Sequence, residues 1–153
     1  LVGDVAGKGL PAAMFMAVSK ALAKSSTLRE TIGLENLMAV INTEISRDNP
    51  EDLFVTLIAL IIDLKTGKLD YCNAGHEPPL LVGGQGDLRA LNDGGGPPMC
   101  VVPDFPYAIA RDAGETGDII VPTLAGIHEM LDPGGVVLGR SPPQVTRRVP
   151  AIV

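Results

Sequence analysis

The run Phe54-Val55-Thr56-Leu57-Ile58-Ala59-Leu60-Ile61-Ile62-Asp63-Leu64 constrains the fold more than any other stretch. It is too short for a membrane span and too rich in β-branched residues for a comfortable helix. It reads as a central strand buried on both faces. Lys65-Thr66-Gly67-Lys68 follows as a hairpin turn, with Gly67 placed for positive φ and Asp63 as its cap. Leu69 to Asn73 returns as the antiparallel partner. Leu80 to Val82 and Leu88 to Leu91, joined by Gly83-Gly84-Gln85-Gly86-Asp87, extend the pattern into a meander. Tyr107 to Ala110 and Ile119 to Val121 are further strands, the last broken by Pro122. Gly126 to Leu131 reads as a helical turn, and Arg140 to Val153 as an irregular tail.

Ahead of this strand-rich half stand two helical patterns. Residues 11–24 form the first, with Ala13, Ala17 and Ala21 on one face beside Met14, Val18 and Leu22, and with methionines filling the core. Residues 25–33 are polar and read as a connection. Leu34, Leu37, Met38, Ile41 and Ile45 then draw the apolar stripe of a helix over 34–47, which Asp48-Asn49-Pro50 stops. Helices followed by antiparallel strands give an α+β class.

Composition removes several functions. The net charge of −6 over 153 residues opposes a nucleic-acid surface and an acidic membrane. No apolar run reaches the ~18 residues of a membrane span, and no leader is recognisable. The two cysteines, Cys72 and Cys100, make neither a disulfide framework nor a metal pair, and read as structural thiols in a reducing, cytoplasmic setting.

The chemistry is concentrated in Gly3-Asp4-Val5-Ala6-Gly7-Lys8-Gly9-Leu10-Pro11-Ala12-Ala13. Glycines let backbone approach closely, and Pro11 suits a helix start, so the stretch reads as strand, tight turn, helix. Asp4 would sit at the strand end, either as one leg of a metal site or as a cap of the turn. The segment is not a P-loop: Val2 stands where that motif needs Gly, and Gly9 where it needs Ser or Thr. Lys8 is a candidate phosphate contact or a solvated lysine. His76, in Asn73-Ala74-Gly75-His76, is a candidate site residue or a loop hydrogen-bonder.

Taken together, these blocks resemble the metal-dependent protein phosphatase (PPM) superfamily, in its bacterial SpoIIE-type branch related to protein phosphatase type 2C. The likeness rests on Gly3–Ala13, on Phe54-Val55-Thr56 leading to Asp63, on Asn73–His76 with Pro78-Pro79, and on Gly94-Gly95-Gly96-Pro97-Pro98. A fifth block runs from Gly117-Asp118 through Gly126 to Glu129. The resemblance covers residues 1–139 and leaves 140–153 as a tail. It implies an antiparallel β-sandwich flanked by helices, with the N-terminal strands of the family fold missing ahead of Leu1 and an open sheet edge in their place.

The resemblance also implies Mn²⁺ or Mg²⁺ as cofactors and a phosphoserine or phosphothreonine substrate on a bacterial regulatory protein, such as an anti-sigma antagonist in partner-switching signalling. Asp4 corresponds to the catalytic metal aspartate and the Val5 backbone carbonyl to its neighbouring ligand; Lys8 and His76 fall to substrate binding. A dimer is compatible with this reading. Other family carboxylates have no counterpart: the upstream aspartate would precede Leu1, the Thr-Asp-Gly block reads Leu124-Ala125-Gly126, and a late Asp-Asp pair is absent from 140–153. Two other functions compete. One is a relative that binds a phosphoprotein without hydrolysis; the other is a nucleotide-binding module built on the Gly-rich turn, which the absent P-loop residues oppose.

Overall fold

The computed structural model describes residues 1–29, 33–47 and 49–122. Residues 1–123 form a compact unit by themselves, and residues 124–153, with the expected helical turn, the tail, Ala125 and Glu129, lie outside the described residues. The elements run β1 (Val2–Val5), α1 (Gly9–Arg29), α2 (Leu34–Arg47), β2 (Val55–Ile62), β3 (Lys68–Ala74), β4 (Leu80–Val82), β5 (Leu88–Ala90), β6 (Ala110–Ala113) and β7 (Ile119–Val121).

The strands make two antiparallel sheets, one ordered β1-β2-β3-β6 and the other β5-β4-β7. The chain therefore does not continue as a single meander after the β2–β3 hairpin. Pro78 and Pro79 lead it from the first sheet into the second, and β3 takes β6 as its other neighbour. β6 also lies later than the sequence suggested: Tyr107 precedes it, and Ala108 makes only an isolated bridge to Gly95.

Side-chain alternation along β2 separates two cores. Val55, Leu57 and Ala59 face the helices, packing with Val5, Phe15, Leu37, Met38, Ile41, Ile45, Cys72 and Ala74. Ile58, one residue out of phase, faces the second sheet with Leu69, Tyr71, Leu81 and Leu91. β2 is thus buried on both faces as its composition indicated, except that Ile61 and Ile62 at its far end are exposed.

The second helix matches its sequence pattern end to end. The first does not. It continues five residues further, because Ser26 and Thr27 direct their hydroxyls back to the carbonyls of Leu22 (2.9 Å) and Lys24 (2.7 Å) instead of opening a turn. Its buried face is also the other one: Ala12, Phe15, Ser19, Ala23 and Ser26 point inward, while Ala13, Met14, Ala17, Val18 and Ala21 are exposed, Met14 by 61%. Apolar and polar residues are spread around this helix without a clear stripe, so its own periodicity cannot select a face; the position of the sheet does.

Candidate functional site

The Gly-rich stretch folds as its residues suggested, with β1 ending at Val5 and α1 beginning at Gly9. β1 pairs with the start of β2, with Asp4 opposite Thr56 and Val5 opposite Val55. The Ala6 amide donates to the Phe54 carbonyl at 2.9 Å, so residues 6 and 54 are a hydrogen-bonded pair and the adjacent pair of Val5 and Val55 is not. Val55 spends its own amide and carbonyl on Met99, on its opposite side, at 3.2 and 2.8 Å. The Val5 carbonyl accordingly faces away from β2, towards the side of β1 that carries no strand among the described residues.

Asp4 is exposed and lies on the same face of the sheet as Val2 and Ile58, the face turned to the second sheet. Thr56 is its neighbour on that face. The Thr56 hydroxyl lies 3.3 Å from the Asp4 carbonyl oxygen, to which it donates, and 2.8 Å from His76 Nδ1. His76 is buried, at 7% exposure, and it is fixed from behind. Its amide donates to Asn73 Oδ1 at 2.7 Å, and Asn73 Nδ2 returns a bond to the His76 carbonyl, also at 2.7 Å.

Two glycines make this turn possible. Gly75 sits at φ 66°, and a Cβ there would come within 2.5 Å of Pro98 Cγ. Gly95, at φ 102°, lies against the Asn73 backbone with no room for a Cβ, and the Gly96 amide donates to the Asn73 carbonyl at 2.9 Å. Gly94–Pro98 is thus a clamp on Asn73–His76. Beyond it, Asn42 of α2, fully buried, donates to the Val102 carbonyl (3.0 Å) and accepts from the Cys100 amide (2.9 Å).

The sequence-selected residues separate into two groups. Asp4, Val5 and His76 come to one end of the first sheet, and Lys8 is exposed in the turn just before α1. Asp63 and Asp118 are turn caps elsewhere. Asp63 accepts from the amides of Lys65 (2.8 Å) and Thr66 (3.3 Å), which holds its carboxyl below the usual range. Asp118 accepts from Gly84 and Glu115. Burial pushes the Cys72 thiol up to about 11 and raises that of Cys100, as expected of structural thiols. Thr56 and Asn42 were not singled out. A threonine in a β-branched run and an asparagine in a helix look ordinary until the chain folds onto them.

The donors for a divalent cation are few. Among the described residues no group of three or more His, Cys, Asp or Glu side chains converges as a metal site. The Asp4 carboxylate and the Val5 carbonyl are two donor groups with three oxygens between them, whereas Mg²⁺ and related hard cations take about six oxygen ligands. The described residues therefore do not by themselves fit an ion pair.

Against known proteins, the family described as Stage II sporulation protein E (SpoIIE) matches residues 1–141. Protein IcfG of Synechocystis sp. (strain ATCC 27184 / PCC 6803 / Kazusa) is 24% identical over 166 residues, covering 92% of this chain and 26% of that protein. Phosphoserine phosphatase RsbU of Bacillus subtilis (strain 168) is 25% identical over 128 residues, covering 84% and 38%. The chain thus spans well under half the length of these relatives. Two solved structures share the fold. The PP2C phosphatase domain of the B. subtilis cell fate determinant SpoIIE, with a fragment of its regulatory domain, superposes with a TM-score of 0.70 at 20% identity, covering 83% of this chain and 37% of that one. The RsbU and RsbW domains of Rv1364c from Mycobacterium tuberculosis give 0.66 at 22% identity, covering 77% and 33%.

Proposed function

Because this chain belongs to the SpoIIE family, we propose that it is a PP2C-type phosphatase domain of a partner-switching regulator, acting on phosphoserine or phosphothreonine of a bacterial protein such as an anti-sigma antagonist in the cytoplasm. The observation that carries the reading is the meeting of Asp4, Thr56, Asn73 and His76, drawn from three separated sequence blocks, at one end of one sheet. Asp4 and the Val5 carbonyl are this chain's share of the donors for the Mn²⁺ or Mg²⁺ that the family employs. Lys8 precedes the N-terminus of α1, where an anion is favoured, and is assigned to the substrate phosphate. No described helix is long and apolar enough to cross a membrane.

The donor count favours a second reading, a domain that binds a phosphoprotein without hydrolysing it. One experiment separates the two. The 153-residue chain is mixed with a phosphorylated anti-sigma antagonist and Mn²⁺, and both phosphate release and complex formation are followed. Release abolished by Asp4→Asn supports the phosphatase. Binding of the phosphorylated form alone, without release, supports the binding module. Absence of both release and binding would sink both readings.

A further inference from the structure

The blocks Asn73–Pro79 and Gly94–Pro98 are fixed closely against one another. Asn73 and His76 exchange two 2.7 Å bonds, Gly75 and Gly95 lie at positive φ with no space for a Cβ, and Gly96 binds the Asn73 carbonyl. Glycine takes positive φ at little cost, and at these two positions its lack of a Cβ permits the close backbone approach. The product of all this fixing is one contact, His76 Nδ1 on the Thr56 hydroxyl at 2.8 Å, and that hydroxyl reaches the peptide after Asp4.

We propose that His76 is a positioning residue acting through Thr56. The chain of bonds runs from the imidazole to the threonine hydroxyl to the Asp4 carbonyl, and it adds a side-chain bond at a carbonyl that the β1–β2 ladder already turns towards Thr56. In this arrangement the one Thr56 hydroxyl hydrogen goes to the Asp4 carbonyl, the hydroxyl oxygen accepts from His76, and the neutral imidazole carries its hydrogen on Nδ1. This gives the two downstream blocks a role at a distance: they aim one ring at one hydroxyl so that the strand end carrying Asp4 and Val5 keeps a single orientation. Only the kinetic consequence rests on the phosphatase reading above.

Two measurements test the proposal. The first is the ¹⁵N NMR signature of the His76 ring, at a pH where imidazole is neutral, together with the Asp4 carbonyl ¹³C shift. The wild-type chain should show hydrogen on Nδ1. Thr56→Val should move the Asp4 carbonyl shift and release the ring from that tautomer, and Thr56→Ser should restore both. Hydrogen on Nε2 in the wild type overturns the proposal, and needs no variant to be seen. The second is kinetic. Thr56→Val should lower kcat about tenfold with KM nearly unchanged, and Thr56→Ser should recover it. Unaltered kcat in a folded Thr56→Val chain overturns the positioning role. Should the wild-type chain release no phosphate, the phosphatase reading fails, while the ring and carbonyl signals still decide the relay.

Discussion

β2 begins and ends in different worlds. At its start, polar groups are joined across long stretches of sequence: Thr56 to His76, Gly96 to Asn73, Asn42 to Cys100 and Val102. At its other end, roughly 25 Å away at the rise of a strand, polar groups are exposed; some cap their own turns and others tie distant segments at the surface. Asp63 caps the hairpin two and three residues on, and Asp118 accepts from Glu115 in its own turn and from Gly84 across to the β4–β5 turn. The pair of Arg89 with Asp112, which ties β5 to β6, is also surface-exposed there, with a 2.8 Å bond from Nη2 to Oδ1. The first end has a single arrangement enforced from several sides. The second has separable contacts, each of small effect. Candidate function lies at the enforced end.

The largest test of this contrast uses two glycines of similar φ. Gly95→Ala forces a Cβ into the Asn73 backbone and should cost about 3 kcal/mol or more in urea denaturation. Gly86→Ala, at φ 88° but in open space, should cost about 1 kcal/mol. Similar losses at both would break the comparison. Next in size is Asn42→Leu, which strands the Cys100 amide and the Val102 carbonyl; about 2 kcal/mol is expected by the same assay.

At the exposed end, Arg89→Ala should cost about 0.5 kcal/mol, less in high salt, because solvent screens a pair with this much exposure. The smallest effect is with pH. The bond from Arg89 holds the Asp112 carboxyl below its ordinary 3.8. A carboxyl lowered on folding contributes fully above its unfolded value, and the contribution disappears as pH falls through 3.8 to the lower folded value. An acid titration of stability should therefore steepen below about pH 4 in the wild type and less so in Arg89→Ala. Identical acid profiles would remove the Arg89–Asp112 pair from the account.

The hairpin caps show what a sequence reader can see. Asp63, Thr66 and Gly67 lie within five residues and signal their turn in the order of the letters, and the stripe from Leu34 to Ile45 does the same for α2. The Gly3–Ala13 stretch likewise announces strand, turn and helix. The misreadings have a common cause. α1 has apolar residues on every side and no clear stripe, so Ala13, Ala17 and Ala21 looked as fit for burial as Ala12, Ser19 and Ala23; only the sheet beneath distinguishes them. β3 could pair with β4 or β6 on pattern alone, and the choice came from where Pro78 and Pro79 redirect the chain.

By itself, then, the sequence determined the local pieces, the α+β class and the family, since these depend on residues near one another or on short blocks in fixed order. Tertiary structure alone decided that Asn73, His76 and Gly94–Pro98 converge on Thr56 and through it on Asp4. Hydrogen bonds between residues 20 to 60 apart leave no periodic trace, because their geometry exists only once the two sheets and the helices have packed.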